Sequence, residues 1–300
     1  AIYLDKGIGT TVIKGCLFEE NIAEDRTGGG IDVDESKIYI EKTKILNNTS
    51  IRAGGAQFMF SEAELLNCTI NNNNAEYEYG GLYFFESTVK GMNCKVQGNN
   101  SIWSRAGGIG VNNGEVSLYN SLITGNRSSS DGSALRVYGR NSVTKLYNVT
   151  IADNDANGSK APIDVYSLSK LYMYNSIVAD NNGDDQYLEL TSDNIEIHNS
   201  RVYGLSSANG NTTDDALFVH LSSDECPTVK GDFNLLGNSP LNNRGSNVHL
   251  PPDIFDLDHD GNKEEPLSYD MNGNERVFAG VVDMGCYEQQ FETVSGNMLS

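Results

Sequence analysis

Short stretches in which apolar and polar residues alternate recur along most of the chain, as in Val116-Ser117-Leu118-Tyr119-Asn120, Lys145-Leu146-Tyr147-Asn148 and Lys170-Leu171-Tyr172-Met173-Tyr174. A period of two over four or five residues predicts strands, and no repeat holds a segment with the 3.6-residue period and length of a helix. The alternation is punctuated on a schedule. Asparagine returns as Asn21, Asn48, Asn73, Asn99, Asn126, Asn154 and Asn181, at intervals of 27, 25, 26, 27, 28 and 27 residues. Three positions before each stands an apolar β-former, in order Phe18, Ile45, Ile70, Val96, Ile123, Ile151 and Val178. A repeat of that size in a Gly- and Asn-rich chain means a solenoid.

Two further marks accompany each period. A second asparagine column, Asn67, Asn93, Asn120, Asn148, Asn175 and Asn199, sits six residues before the first where both are present, with Gly15 and Lys42 in the first two coils. A Gly pair or small-residue pair then leads into an apolar residue, as in Gly29-Gly30-Ile31, Gly54-Gly55-Ala56, Gly80-Gly81-Leu82 and Gly107-Gly108-Ile109. Three marks per period predict three strands and three corners, hence an all-β, right-handed, single-stranded parallel β-helix of about 27 residues per coil. The Leu-rich consensus of leucine-rich repeats, which have similar lengths, is missing. Equivalent residues in such a stack lie about 4.8 Å apart, so inward-facing amides can bond along the axis. Both asparagine columns are therefore expected to be structural ladders. Inward-facing asparagines exclude glycans at the sequons beginning at Asn67, Asn99, Asn126 and Asn148, leaving Asn211 as the sequon expected to be exposed.

Charge narrows the partners. Lys and Arg total 21 against 41 Asp and Glu, a net of −20, which repels nucleic acid and anionic membrane surfaces. No apolar run approaches the ~20 residues of a membrane helix. Cys16, Cys68 and Cys94 share one column with Thr43, Ser121, Val149 and Ser176, which reads as buried small residues rather than metal or redox chemistry. Cys226 and Cys286 are left with pairing open. The chain opens on Ala1-Ile2-Tyr3-Leu4, which resembles the strand after a glycine pair, so further coils are expected upstream.

After Asn199 the pattern fails. Residues 1–237 read as β-helix with an irregular excursion at about 206–229, and Asp232 to Gly237 reads as one last coil. Residues 238–290 read as a C-terminal cap, and 291–300 as a linker or tail. Within the cap, Asp256, Asp258, Asp260 and Asn262 place oxygens at alternate positions around Gly261, as in the first half of an EF-hand-type loop. That spacing suits a structural Ca²⁺ ion. Leu267 falls where the bidentate Glu would stand, so Glu264 or Glu265 substitutes, or Asp253 or Asp270 contributes.

Four segments of this end resemble the terminal signature of bacterial choice-of-anchor Q β-helix proteins: Ser239 to Gly245, Asp256 to Asn262, Tyr269 to Arg276, and Asp283-Met284-Gly285-Cys286-Tyr287-Glu288. The repeats are similar to those of polymorphic outer-membrane-type adhesins, with Phe18-Glu19-Glu20-Asn21 a full match. The resemblance implies an exported, extracellular or bacterial cell-surface protein with an anchoring module beyond its C-terminus. Cys286 stands where the family usually has Ala, and Asn272 where it commonly has Asp. In the residues themselves, Arg276 and Glu288 could form a charge-assisted clamp that closes the cap.

Function must be read from a site rather than from the solenoid. One expectation is a non-enzymatic, adhesin-like module or rigid stalk that binds glycan or a surface protein, with Trp103 and Tyr138 as candidate stacking residues. The alternative is a polysaccharide lyase or glycoside hydrolase, for which Asp184-Asp185 is the available carboxylate pair. That pair lies in an Asn- and Gly-rich corner where acids are common for turn reasons, with no Lys or Arg cluster beside it.

Overall fold

The computed structural model describes residues 1–157, 161–182, 188–190, 195–204 and 207–290, with the backbone alone at 25–26 and 188–190. Three eight-stranded parallel sheets run along the stack. In one coil the first sheet contributes Ile31–Asp34, the second Lys37–Glu41 and the third Lys44–Leu46. The predicted parallel β-helix with three long sheets is what the chain forms. A fourth, five-stranded sheet joins them over the early coils, with Thr49–Arg52 as its strand in the same coil.

Alternation sets the core. Ile31 and Val33, Ile38 and Ile40, and Ile45 point inward from three sides of one coil, and their counterparts fill the axis in register above them. The first asparagine column lines this interior as an unbroken ladder. Asn21 donates through Nδ2 to Asn48 Oδ1 at 2.7 Å, Asn48 to Asn73 at 3.0 Å, and Asn73 to Asn99 at 2.9 Å. The series continues from Asn99 through Asn126 and Asn154 to Asn181. Each backbone N along it donates to the same Oδ1 as its own side chain, as from Asn48 to Asn73 and from Asn99 to Asn126, both at 3.0 Å. The remaining Nδ2 proton reaches back to a strand carbonyl, from Asn48 to Phe18 O, from Asn73 to Ile45 O and from Asn126 to Val96 O, all at 2.9 Å.

Asn48 and Asn73 are fully buried, but Asn21, at the end of the series, is only half-buried. The ladder also explains the glycine pairs, which the sequence reading left as punctuation. A Cβ on Gly30 would stand 3.0 Å from Asn48 Nδ2, and one on Gly55 3.1 Å from Asn73 Nδ2, so the second glycine of each pair makes room for a rung.

Hydroxyls build two more ladders at the other corners. The Cys/Ser/Thr column carries one, in which Val149 N donates to Ser176 Oγ and Ser176 N to Ser200 Oγ, both at 3.0 Å. At the corner between the first and second sheets, Ser36 N donates to Ser61 Oγ and Ser61 N to Ser87 Oγ, at 3.1 and 3.0 Å. Cys68 and Cys94 are buried as expected, whereas Cys16 is exposed. All five thiols are free, and Cys226 and Cys286 lie apart in separate surroundings.

The second asparagine column is not an interior ladder. Asn67, Asn93, Asn120, Asn148, Asn175 and Asn199 all have left-handed backbones, with φ between 44° and 54°, and form the turn from the second sheet into the third. Asparagine is the residue other than glycine that best tolerates that conformation, and Gly15 fits the same turn. The side chains stand on the outside, where Asn120 Nδ2 donates to Tyr269 O and Asn175 Nδ2 to Ser246 O.

Those partners correct the reading of residues 238–290 as an end cap. The segment runs back along the flank of the stack as a strap. Cys286 N donates to Thr150 Oγ1, and Leu241, Met284 and Cys286 cover Leu122 and Ile177 on the outside of the third sheet. The end of the hydroxyl ladder is instead met by Asn211, which accepts from Ser200 N at 3.1 Å and donates to Ile197 O at 2.8 Å. Asn211 is thus only 6% exposed, contrary to expectation, while the sequon asparagines Asn47 and Asn157 are exposed. Nor is Asp232 to Gly237 a last coil: Asp232–Leu235 pairs antiparallel with Phe218–His220, a hairpin laid on the same flank.

Candidate functional site

The fourth face narrows along the stack. Asn74–Glu78 is followed by Asn100–Ser101 and Arg127–Ser128, and then by single bridges from Arg127 to Asp155 and from Asp155 to Asn182. The turn entering this face is left-handed in successive coils at Gly98, Gly125, Asp153 and Asp180. The two glycines let the returning excursion approach. Thr228 N donates to Gly125 O at 2.9 Å, and a Cβ on Gly125 would stand 1.9 Å from Thr228 O. Cys226 Sγ then donates to Asp153 O at 3.0 Å.

Residues 222–226 thereby form a wall facing Arg127, Asp153, Asp155, Asp180 and Asn182 across an open polar cleft of about 650 Å³. Arg127 is held by Asp155, at 3.6 Å, and by Cys226 O, at 3.3 Å. On its other side it lines a hollow of about 270 Å³ with Asn100, Ser101, Ile102, Ser129 and Asn157. Trp103, beside Ile102, is 70% exposed, and Tyr77 on the preceding coil is exposed as well. Burial, with the Asp180 charge added, pushes the Asp153 carboxyl up to about 6 against a hydrogen bond from the Ser222 backbone. Burial also raises Asp180, opposed by Arg201. The trough thus offers one guanidinium, carboxylates, amides and hydroxyls in a row, with the exposed Trp103 next in sequence to its Ile102.

Tyr138 does not belong to it. Its hydroxyl is 2.5 Å from that of Tyr79 and 3.4 Å from that of Tyr83, and Arg136 covers its ring at 4.4 Å. Tyr79 in turn lies over Gly110, where a Cβ would meet its ring at 2.2 Å. The aromatic cluster covers the outside of the first sheet and holds Tyr138, half-buried, through its hydroxyl and one ring face. Asp184 and Asp185 lie outside the described residues, as do residues 291–300. The sequence reading missed Arg127, Asp153 and Asp180. The signal for the two aspartates was the turn position just before each ladder asparagine, which changes from Gly98 and Gly125 to Asp153 and Asp180.

The acidic loop gathers a ligand set that overlaps only in part with the one expected from sequence. Its neck is closed by Asp253 N to Glu265 O at 2.8 Å and Leu267 N to Pro251 O at 2.9 Å. Carboxylate oxygens of Asp253, Asp258 and Glu265 lie within 4.8 Å of one another, and so do those of Asp256, Asp258 and Asp260. Glu264 belongs to neither group. Asn262 Oδ1 accepts from Glu264 N, its amide donates to Glu265, and Glu264 faces solvent. Burial, with the charges of Asp258 and Asp260, holds the Glu265 carboxyl above its ordinary range.

Arg276 and Glu288 each hold backbone rather than each other. Arg276, fully buried, donates from Nη2 to Asp283 O at 3.1 Å and Gly285 O at 2.6 Å. Glu288 accepts from Phe278 N at 3.2 Å and Asp283 N at 3.0 Å. Burial pushes its carboxyl up to about 8, with the Arg276 charge pulling the other way.

Among the described residues no helix is long and apolar enough to cross a membrane. No curated protein matches the chain. Among solved structures, pectate lyase Pel9A is similar, at 15% identity and a TM-score of 0.39, over 88% of this chain and 69% of that one. The family model of the right-handed β-helix region matches residues 2–151, half of the chain. With its repeats, inward ladders and parallel sheets in agreement, the chain belongs to the right-handed β-helix family.

Proposed function

We propose that the chain is an exported bacterial surface module that binds glycan, without turnover, along the trough running from Trp103 past Arg127 to Asp155. The observation that carries this reading is the open row of polar groups on the narrowing fourth face, with Trp103, next in sequence to the Ile102 that lines it, 70% exposed. An aromatic face stacks on sugar C–H groups while amides, hydroxyls and charged groups take the hydroxyls. The carboxylates on the far wall and the net charge of −20 favour neutral or amino sugars over polyuronates. The choice-of-anchor Q resemblance supports a place on the cell surface, where a stiff rod could hold such a trough toward glycan or protein on a neighbouring cell. A glycan array should show binding that is lost in Trp103→Ala and Arg127→Ala. Full binding by both variants would remove the trough from consideration.

Glycoside hydrolysis is the second reading, and Asp153 favours it. A carboxyl titrating near pH 6 can act as a general acid, and Asp180 occupies the same position one coil on, with Asp153 N bonded to Asp180 O at 3.1 Å. Adjacent parallel strands lie about 4.8 Å apart. Reducing-sugar release from bound glycans, abolished in Asp153→Asn with binding retained, would establish this reading over the first.

A further inference from the structure

We propose that Asp253, Asp258 and Glu265, with Asp256 and Asp260 closing the open side, bind one Ca²⁺ ion that latches the 251–267 loop onto the flank of the stack. The cluster alone would be an ordinary acidic turn, but two of its oxygens are hard to reconcile with an ion-free loop. Asp253 is 0% exposed, and while Oδ2 accepts from Leu257 N at 2.8 Å, the buried Oδ1 has no partner. Glu265 Oε1 is buried and unpartnered as well. Among the described residues, no Lys or Arg forms an ion pair with any of the five carboxylates. Buried acceptors left in this state cost free energy, more so when charged.

A single ion answers both oxygens. Ca²⁺ binds oxygens at about 2.3–2.6 Å, so ligands on opposite sides stand up to roughly 5 Å apart, and within each of the two groups the carboxylate oxygens lie within 4.8 Å of one another. Asp258 belongs to both groups and becomes the shared ligand. The all-oxygen donor set selects a hard cation. The irregular loop, which imposes no octahedral frame, favours Ca²⁺ over Mg²⁺.

The latch follows from what the loop carries. Ile254, Phe255 and Leu257, between the outer ligands, pack with Leu66, Met92, Tyr119 and Leu267 on the outside of the second sheet. Held by the ion, the loop keeps that apolar surface covered. Without it, carboxylate repulsion opens the loop from its neck.

The test uses the whole chain, stripped with EDTA and titrated with CaCl₂ by calorimetry, with thermal melts and limited proteolysis alongside. The expected result is one Ca²⁺ bound per chain, a melting temperature that rises with Ca²⁺, and protection of 251–267 from cleavage. Glu265→Gln and Asp258→Asn should weaken binding by at least the roughly 10- to 100-fold that loss of an outer-shell partner alone costs. Their melting temperature in EDTA should be unchanged or higher, because repulsion is relieved, so loss of binding is separable from misfolding. Glu264→Gln should bind like the parent chain. No binding heat at millimolar Ca²⁺, full affinity in both ligand variants, an equal loss in Glu264→Gln, or an equal response to Mg²⁺ would each overturn the proposal.

Discussion

The coils and the strap solve the same problem, satisfying buried polar groups, in opposite ways. In the coils one residue type is repeated in register, so each asparagine accepts from the coil before it and donates to the coil after it. In the strap nothing repeats. Asp270, Asp283 and Glu288 each capture backbone amides from different turns, and Arg276 captures two carbonyls at their centre. A ladder spreads its support over many equivalent rungs, whereas the strap concentrates it in a few charged residues. The coils should therefore fail rung by rung and the strap all at once.

Three perturbations sharpen that contrast. Arg276→Ala should have the largest effect, about 3–5 kcal/mol, because it empties a fully buried site and leaves the Asp283 and Gly285 carbonyls without their charged donor. The loss should be confined to 238–290, seen as hydrogen exchange in the strap with the coils still protected. Equal exchange in both regions would mean that the two fold as one unit.

Asn126→Ala should cost about 2–4 kcal/mol, since Asn99 N and Asn99 Nδ2 lose their acceptor inside the stack. Asn21→Ala, at a half-buried end rung, should cost less than about 1 kcal/mol, because water replaces the lost bonds. Similar losses in chemical denaturation for both variants would refute the dependence on position.

The last perturbation is one of pH. Glu288 titrates at about 8 in the fold against an ordinary 4.5, so between these values the folded chain holds more protons than the unfolded one. Its contribution to stability is therefore greatest in acid and declines as pH rises from about 4.5 towards 8. Glu288→Gln should flatten that slope in melts collected across this range. An unchanged slope would assign the pH dependence to other groups.

The stack was legible in the sequence because periodicity is a one-dimensional record of it. The first asparagine column follows an inward apolar residue at fixed spacing, and the interior place of Asn48, Asn73 and their successors followed from that. The second column carried the same residue with a different meaning, since asparagine serves both amide ladders and left-handed turns. Gly15 was the available clue, because glycine cannot form a side-chain rung but suits the turn. The serine ladder through Ser36, Ser61 and Ser87 was missed because a single hydroxyl per coil hardly disturbs the alternation. The strap's course was not legible at all. That Tyr269 meets Asn120, and Ser246 meets Asn175, depends on contacts 149 and 71 residues apart that no local pattern records. Asp253 and Glu265, outside the alternating run, were legible only as alternatives to Glu264 and Asp270, because the choice among them depends on how the loop closes at its neck.

The direction of the ladders has a consequence for how such a rod can change length. Every rung asks only for an acceptor in the next coil, and Asn211 supplies one where the repeats stop. A coil could be duplicated or deleted before Leu66 without altering what any neighbour requires. Between Asn120 and Asn175 the same edit would move the strap's anchor points apart by one strand spacing, about 4.8 Å. The strap thus acts as a ruler, fixing the count of coils along its own span and leaving the count ahead of it free to vary.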